Sequence, residues 1–389
     1  MDVPEQGIAM ERLYFDYNAT APLAHGLKAR IIQWMDVDPK NPVSVHQDGQ
    51  SARQMVELAR RQVLESFKAA PKDKLVFTSG GTESNNTVLF SAFSNRGQRN
   101  TLMLTQVEHS CIYNFAQHLA KNFGVELCWI PVDRQGQIDL DDYARKLDPD
   151  RVFLVSTMLA NNETGFIFPV QEMARLARER DIPFHTDAVC AAGKIPIDFA
   201  TLGVDYMSFS SHKFGGLKGS GGIVWRDGSR LSSYLIGGTH EFEKRAGTHN
   251  VFGIAASGVA LLGCSQGLLE RVQMEMGLRE RLKQRISEVY PKTIFVEGST
   301  QLPQTLSAAF VGLSGNLLLT NLDLEGVAVS YGSACASGSL EISRVLRHLN
   351  LPVAEASSAL RLSFGTGVDA ETIDEFAVRL KQVLERMTA

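Results

Sequence analysis

A lysine set among hydroxyl and imidazole donors and followed by glycines, Ser208-Phe209-Ser210-Ser211-His212-Lys213-Phe214-Gly215-Gly216, is the first group in this chain with the makings of chemistry. A lysine that forms a Schiff base must be desolvated enough to lose its proton near neutral pH, and neighbouring donors must fix whatever it bonds. The plain alternative is a solvated loop lysine. Phe184-His185-Thr186-Asp187-Ala188 ends an apolar run on an acid, where water is scarce and an ionised carboxylate needs a cationic partner. A protonated pyridine nitrogen would serve, and such a pair keeps the ring of pyridoxal phosphate cationic and an electron sink. An N-cap or salt-bridged Asp187 is the plain reading here.

Further segments carry reactive or binding groups. Thr78-Ser79-Gly80-Gly81-Thr82-Glu83-Ser84-Asn85 follows an apolar run and opens a helical pattern, so its N–H groups and hydroxyls suit a phosphate, although an ordinary capped turn reads the same way. His109, in Val107-Glu108-His109-Ser110, is placed to lie on a ring and move protons, or to be a satisfied surface histidine. Cys335 sits in Ser330-Tyr331-Gly332-Ser333-Ala334-Cys335-Ala336-Ser337-Gly338-Ser339, where almost every neighbour is small. Such a segment is expected to be mobile, which suits a thiol that collects an atom in a site and carries it out, whereas Cys128 and Cys264 sit in apolar patterns and read as core.

Elements must bring these groups together. From about Lys74 to Trp225, apolar runs alternate with helical patterns such as Val170 to Arg180, which predicts an α/β domain built on a largely parallel sheet. The predicted strands are Leu75–Phe77, Leu102–Leu104, Leu127–Ile130, Val152–Val155, Phe184–His185, Tyr206–Phe209 and Ile223–Trp225. In open sheets of this kind ligands gather beyond the strand carboxyl ends, where the segments above fall. After Gly253 one long helical stretch to Val289 precedes strands near Ile294–Val296, Thr305–Phe310 and Leu360–Ser363 and a helix from Ala370 to Arg386, an α+β pattern. The expected division is a large domain over 14–252 and a smaller one made of 1–13 and 253–389.

The chain has 389 residues, enough for two cores, with 44% hydrophobic and 21% charged residues, the profile of a globular enzyme. No segment reads as transmembrane, and the acidic start lacks the pattern of a signal peptide, so a cytoplasmic location is expected. A net charge of −4 without a basic cluster gives no footprint for sequence-independent nucleic-acid binding. The five cysteines are far apart and lack a CxxC pair, which favours free thiols over disulfides or zinc, and no metal site is expected.

Taken in order, SGGTESNN, VEHS, ANNETG, HTDA, SFSSHKFGG, RAGTHN, GSACASGSLE and SALRLSFG resemble the cysteine desulfurases of the NifS/IscS kind over nearly the whole chain. The resemblance implies a fold-type I PLP-dependent transferase of the class V aminotransferase group, working as a homodimer. It implies pyridoxal 5'-phosphate bound covalently by Lys213, with Asp187 on its ring nitrogen and His109 stacked on the ring. Gly81, Thr82, Ser210 and His212 would bind its phosphate, with Thr248 reaching across from the other subunit. Asn162 would lie near the ring hydroxyl and the substrate, and Arg361 would grip the substrate carboxylate in a bidentate pair.

The implied reaction takes sulfur from L-cysteine, leaves alanine and a persulfide on Cys335, and passes that sulfur to an acceptor protein, an iron–sulfur scaffold or a thiolation carrier. One departure stands out: the family has Gln three residues after the aspartate, and this chain has Cys190, a weaker donor. The rivals are selenocysteine lysis, transamination or β-elimination through the same Lys213 and Asp187, and a scaffold that has lost catalysis.

Overall fold

The computed structural model describes residues 11–331 and 342–388. Strand β1 is Leu13–Tyr14. Seven strands then build the main sheet: β2 Lys74–Thr78, β3 Thr101–Thr105, β4 Glu126–Ile130, β5 Val152–Ser156, β6 Phe184–Asp187, β7 Tyr206–Ser210 and β8 Gly221–Trp225, in the order β2-β8-β7-β6-β5-β3-β4. All run parallel except β8, which lies antiparallel between β2 and β7. Every residue of β3, β5, β6, β7 and β8 is buried, as expected of strands covered on both faces, and β5 and β8 accordingly read as nearly unbroken apolar runs. Each expected strand is present.

Amphipathic helices cover the sheet. In Val170–Arg178 the buried residues are Val170, Met173, Ala174 and Ala177, at helical spacing, and the helix stops short of the expected Arg180. One apolar cluster (Leu75, Phe77, Met103, Val155, Phe184 and neighbours) and another (Val76, Leu102, Leu104, Phe153, Ile223 and neighbours) split the strands by alternation, the mark of a sheet with two covered faces.

A separate cluster surrounds a sheet of β9 Thr293–Phe295, β10 Thr305–Phe310 and β12 Ala359–Ser363, in which β10 pairs antiparallel with both neighbours. Between them in sequence, β11 Val327–Ala328 pairs parallel with β1, so the start of the chain is tied to its last third. The closing helix runs Ala370–Thr388 and buries Ile373, Phe376, Leu380 and Val383 in this cluster.

One expectation is corrected. The long helical stretch is two helices, Val251–Ser265 and Leu268–Val289, bent by 74°. The break is at Gln266–Gly267, where Gln266 is extended and Gly267 adopts φ 61°, a left-handed conformation that glycine takes without penalty. Among the described residues no single helix is long and apolar enough to cross a membrane.

Candidate active site

The parallel strands β2, β3, β5, β6 and β7 end at one edge of the sheet, and the segments that follow them close a cavity of about 240 Å³. Gly81, Thr82, His109, Asn162, Asp187, Ser210, His212, Lys213 and Arg361 all line it. Thr248 does not line the cavity of its own chain and is exposed. Cys335 lies outside the described residues.

Asp187 closes β6 and is fully buried. Its Oδ2 accepts from Asn85 Nδ2 at 2.7 Å and its Oδ1 from the backbone N–H of Val189 at 2.8 Å. Burial pushes its carboxyl upward, against the opposing pull of His109, the two donors and Lys213. A cation on the cavity side would complete its partners. His185, two residues before it, is a core histidine satisfied by Ser156 and Ser208 hydroxyls at 2.9 and 3.0 Å, and burial pushes it down to about 3.

Lys213 follows β7 on a short 3-10 turn, Ser211–Lys213. Its Nζ donates to the carbonyls of Asn18 and of Ala19, the latter at 3.1 Å. Burial, reinforced by Lys194 and Arg361, brings its ammonium down to about 8, within reach of the free base at cellular pH. His212 beside it is pushed down to about 4, first by burial, so its ring is neutral and its Nδ1 faces Thr20 Oγ1 at 3.2 Å. His109 caps the helix Ser110–Phe123, its Nδ1 accepting from Cys111 N at 3.2 Å, and burial lowers its pKa so that the imidazole is neutral.

The far wall comes from β12. Arg361 Nη2 bonds Asp16 Oδ1 at 2.6 Å, Nη1 donates to the carbonyl of Asn162 at 2.9 Å, and its buried Nε has no partner. That fork is set to take a carboxylate. Backbone bonds in both directions join Arg361 to Ser330, just before the segment that contains Cys335.

The turn after β2 is built for close approach. Gly80 has φ 149°, and a Cβ on Gly81 would stand 2.7 Å from Val189 Cγ2. With Thr82, Gly81 opens the helix Gly81–Ser94, and Ser210 and His212 line the same cavity, together a natural seat for an anion. Buried acid, desolvated lysine and anion cradle at three sides of one cavity fit a phosphorylated pyridine aldehyde, and so fit pyridoxal phosphate. No group of three or more His, Cys, Asp or Glu side chains placed to hold a metal occurs among the described residues.

Several site residues carry no clear signal in the sequence. Asn18 is 1% exposed and central: its N–H bonds Ser363 Oγ, its Nδ2 reaches Asn162 O and Thr305 Oγ1, and its Oδ1 accepts from Lys194. Asn85 and Cys111 also line the cavity, with the Cys111 thiol pushed up to about 12 by burial and therefore neutral. Cys190 lines it too, 3.9 Å from Lys194 Nζ. Cys128 and Cys264, expected in the core, are half-buried at its margin.

Thr248 belongs to a strap held by a buried network. Glu241 Oε1 bonds Arg60 and His249, both at 2.8 Å, and its Oε2 accepts from Phe77 N at 2.7 Å. Glu241, Phe242 and Glu243 all have left-handed φ, between 49° and 63°, a costly run for residues with side chains. Farther along, Arg245 bonds Glu83, whose other oxygen accepts from Ser79 N, so the strap is also tied to the anion cradle.

Comparison with known proteins agrees with this geometry. The aminotransferase class-V family model matches residues 13–376. A cysteine desulfurase IscS from Dictyoglomus turgidum is 37% identical over 382 residues, covering 96% of this chain and 95% of the relative. The structure of a NifS-like protein superposes with a TM-score of 0.90 at 31% identity, covering 96% of this chain and 100% of the other. The structure titled SspA in complex with cysteine gives 0.78 at 28% identity, over 90% and 98%. With likeness over nearly the full length of both partners, and the lysine, acid and arginine gathered at one sheet edge, the chain belongs to the cysteine desulfurases of the class-V aminotransferase family.

Proposed function

We propose that this desulfurase holds pyridoxal phosphate on Lys213 and draws sulfur from L-cysteine onto Cys335. The observation that carries the reading is the convergence of Lys213, Asp187 and Arg361 on one cavity. When bound, the cofactor supplies an electron sink for charge that develops on the substrate carbon atoms. Asp187 holds the ring nitrogen in its protonated form, aided by Asn85, and the helix end at Gly81 and Thr82 with Ser210 and His212 holds the phosphate. Thr248 of a second copy would complete that cradle, since in its own chain it is exposed and does not line the site.

Arg361, steadied by Asp16 and the Asn162 carbonyl, binds the substrate carboxylate and fixes its orientation. The Lys213 amine, desolvated and facing the cavity, would accept the proton from the substrate Cα, and the bound cofactor would take up the charge left on that carbon. The carbonyls of Asn18 and Ala19 hold Nζ within reach. Neutral His109 exchanges a proton with the substrate thiol. Cys335, as thiolate, attacks the substrate sulfur: an S–S bond forms, the Cβ–S bond breaks, its electron pair stays on the carbon fragment, and that fragment gains protons and leaves as alanine. The persulfide then passes to an acceptor protein.

A homodimer is supported by apolar side chains left uncovered on the single chain, among them Ile32, Met35, Val37, Val45, Leu235 and Ile236. We also infer a large domain over 14–252 and a small one from 1–13 and 253–389, and a reducing cytoplasmic setting suited to the separate thiols. The test is to feed sulfur-labelled L-cysteine and measure alanine and the label on the Cys335 peptide. Wild type is expected to give both, Lys213→Ala neither, and Cys335→Ala no labelled peptide and at most trace alanine. Normal alanine release from either variant would refute the assignment.

A further inference from the structure

We infer that Lys194, held beside Lys213 by Asn18, is a positioning residue that keeps the reactive nitrogen of Lys213 in its unprotonated, attacking form. The inference deepens the function proposed above and rests on Lys213 being the reactive amine. One residue joins the two lysines: the side-chain Oδ1 of Asn18 accepts from Lys194 Nζ at 2.9 Å, and its main-chain carbonyl accepts from Lys213 Nζ.

Lys194 is only 8% exposed, an unusual place for an ammonium. Its Nζ contacts are an amide oxygen and, at 3.9 Å, the Cys190 sulfur, neither of which requires a full charge to be satisfied. A glutamine would bridge to Asn18 as well. What the charge adds is a field. A second cation in a poorly solvated site disfavours protonation of its neighbour, a known way to free a catalytic lysine.

Beyond burial itself, the other groups facing Lys213 oppose that field or supply less of it. Asp187 and Cys190 act in the opposite sense, favouring the ammonium. His109 and His212 are both driven toward the neutral ring by burial. Arg361 is positive but is paired with Asp16 at 2.6 Å. Glu275, the acid whose charge Lys194 favours from behind, is pushed up to about 7 by burial and is a weak counter-charge. Lys194 therefore remains the cation whose charge is least cancelled.

The test compares wild type, Lys194→Gln, Lys194→Arg and, as a second route to the same neutralisation, Asn18→Asp. The full chain without cofactor is labelled with an amine-acylating reagent across a pH series, and Lys213 modification is read by peptide mass spectrometry. Loaded with pyridoxal phosphate, the same proteins are titrated by visible absorption. Lys194→Gln and Asn18→Asp are expected to raise the Lys213 midpoint by about one pH unit, a tenfold gain in proton affinity. Lys194→Arg is expected to restore the wild-type midpoint. An unmoved midpoint in folded Lys194→Gln would overturn the inference whatever Asn18→Asp shows, as would an equal shift in Lys194→Arg, which would mark a packing effect. A wild type that takes up no cofactor would instead defeat the functional reading, and the labelling series would still decide the role of Lys194.

Discussion

Asn85 illustrates how a single amide readies a buried acid. Its Nδ2 is 2.7 Å from Asp187 Oδ2, while its own Oδ1 is buried without a partner. Asn85→Ala removes a hydrogen bond to a charged group, worth about 1.5–3 kcal/mol, so cofactor affinity should fall about 10- to 100-fold. The fall is measured by titrating the apoprotein with pyridoxal phosphate, and unchanged affinity would show that Asp187 needs no such support. Residues like Lys213 and Asp187 were legible because a charged group at the end of an apolar strand is chemically out of place. Asn85, Asn18 and Lys194 were not, because a small amide, or a single lysine after a glycine, resembles any other until its partners, distant in sequence, are known. Asn18 and Thr305 are such a pair.

Among elements, the turn from β2 into the helix Gly81–Ser94 has little room for change. A Cβ at Gly81 would meet Val189 Cγ2 at 2.7 Å, and valine is stiff at χ1, so either the turn or the segment after β6 must yield. Gly81→Ala should cost about 1–3 kcal/mol in stability and weaken cofactor binding, as denaturant melts and absorption titration would record. Adding Val189→Ala should recover most of both; a double variant as impaired as the single would place the strain elsewhere. The strands of the main sheet were readable because burial on both faces leaves an unbroken apolar signature. The break at Gln266–Gly267 was not, since apolar spacing continues through it and a lone glycine inside a helical pattern is tolerated often enough to conceal a bend. The pairing of β1 with β11 escaped for a different reason: two residues on each side are too few to show a period.

For the whole molecule, the uncovered apolar surface bears on assembly. Ile236 is 90% exposed beside Leu235 and Tyr234, just ahead of the strap that carries Thr248. Ile236→Asp should shift the assembly from dimer to monomer in light scattering, with activity falling alongside as Thr248 is withdrawn from the neighbouring site. A monomeric wild type, or a fully dimeric variant, would count against that interface. The buried latch of the strap has its own consequence. Burial pushes the Glu241 carboxyl up, but His249, Arg60 and the Phe77 N–H outweigh it and hold it at about 2. Its contribution is therefore complete above the ordinary carboxylate range and is lost progressively as pH falls from there towards about 2. Across the acidity range of living cells the Glu241 carboxylate keeps its charge, and the contorted backbone at 241–243 stays tied to Arg60 and to β2 through an anchor that does not switch off.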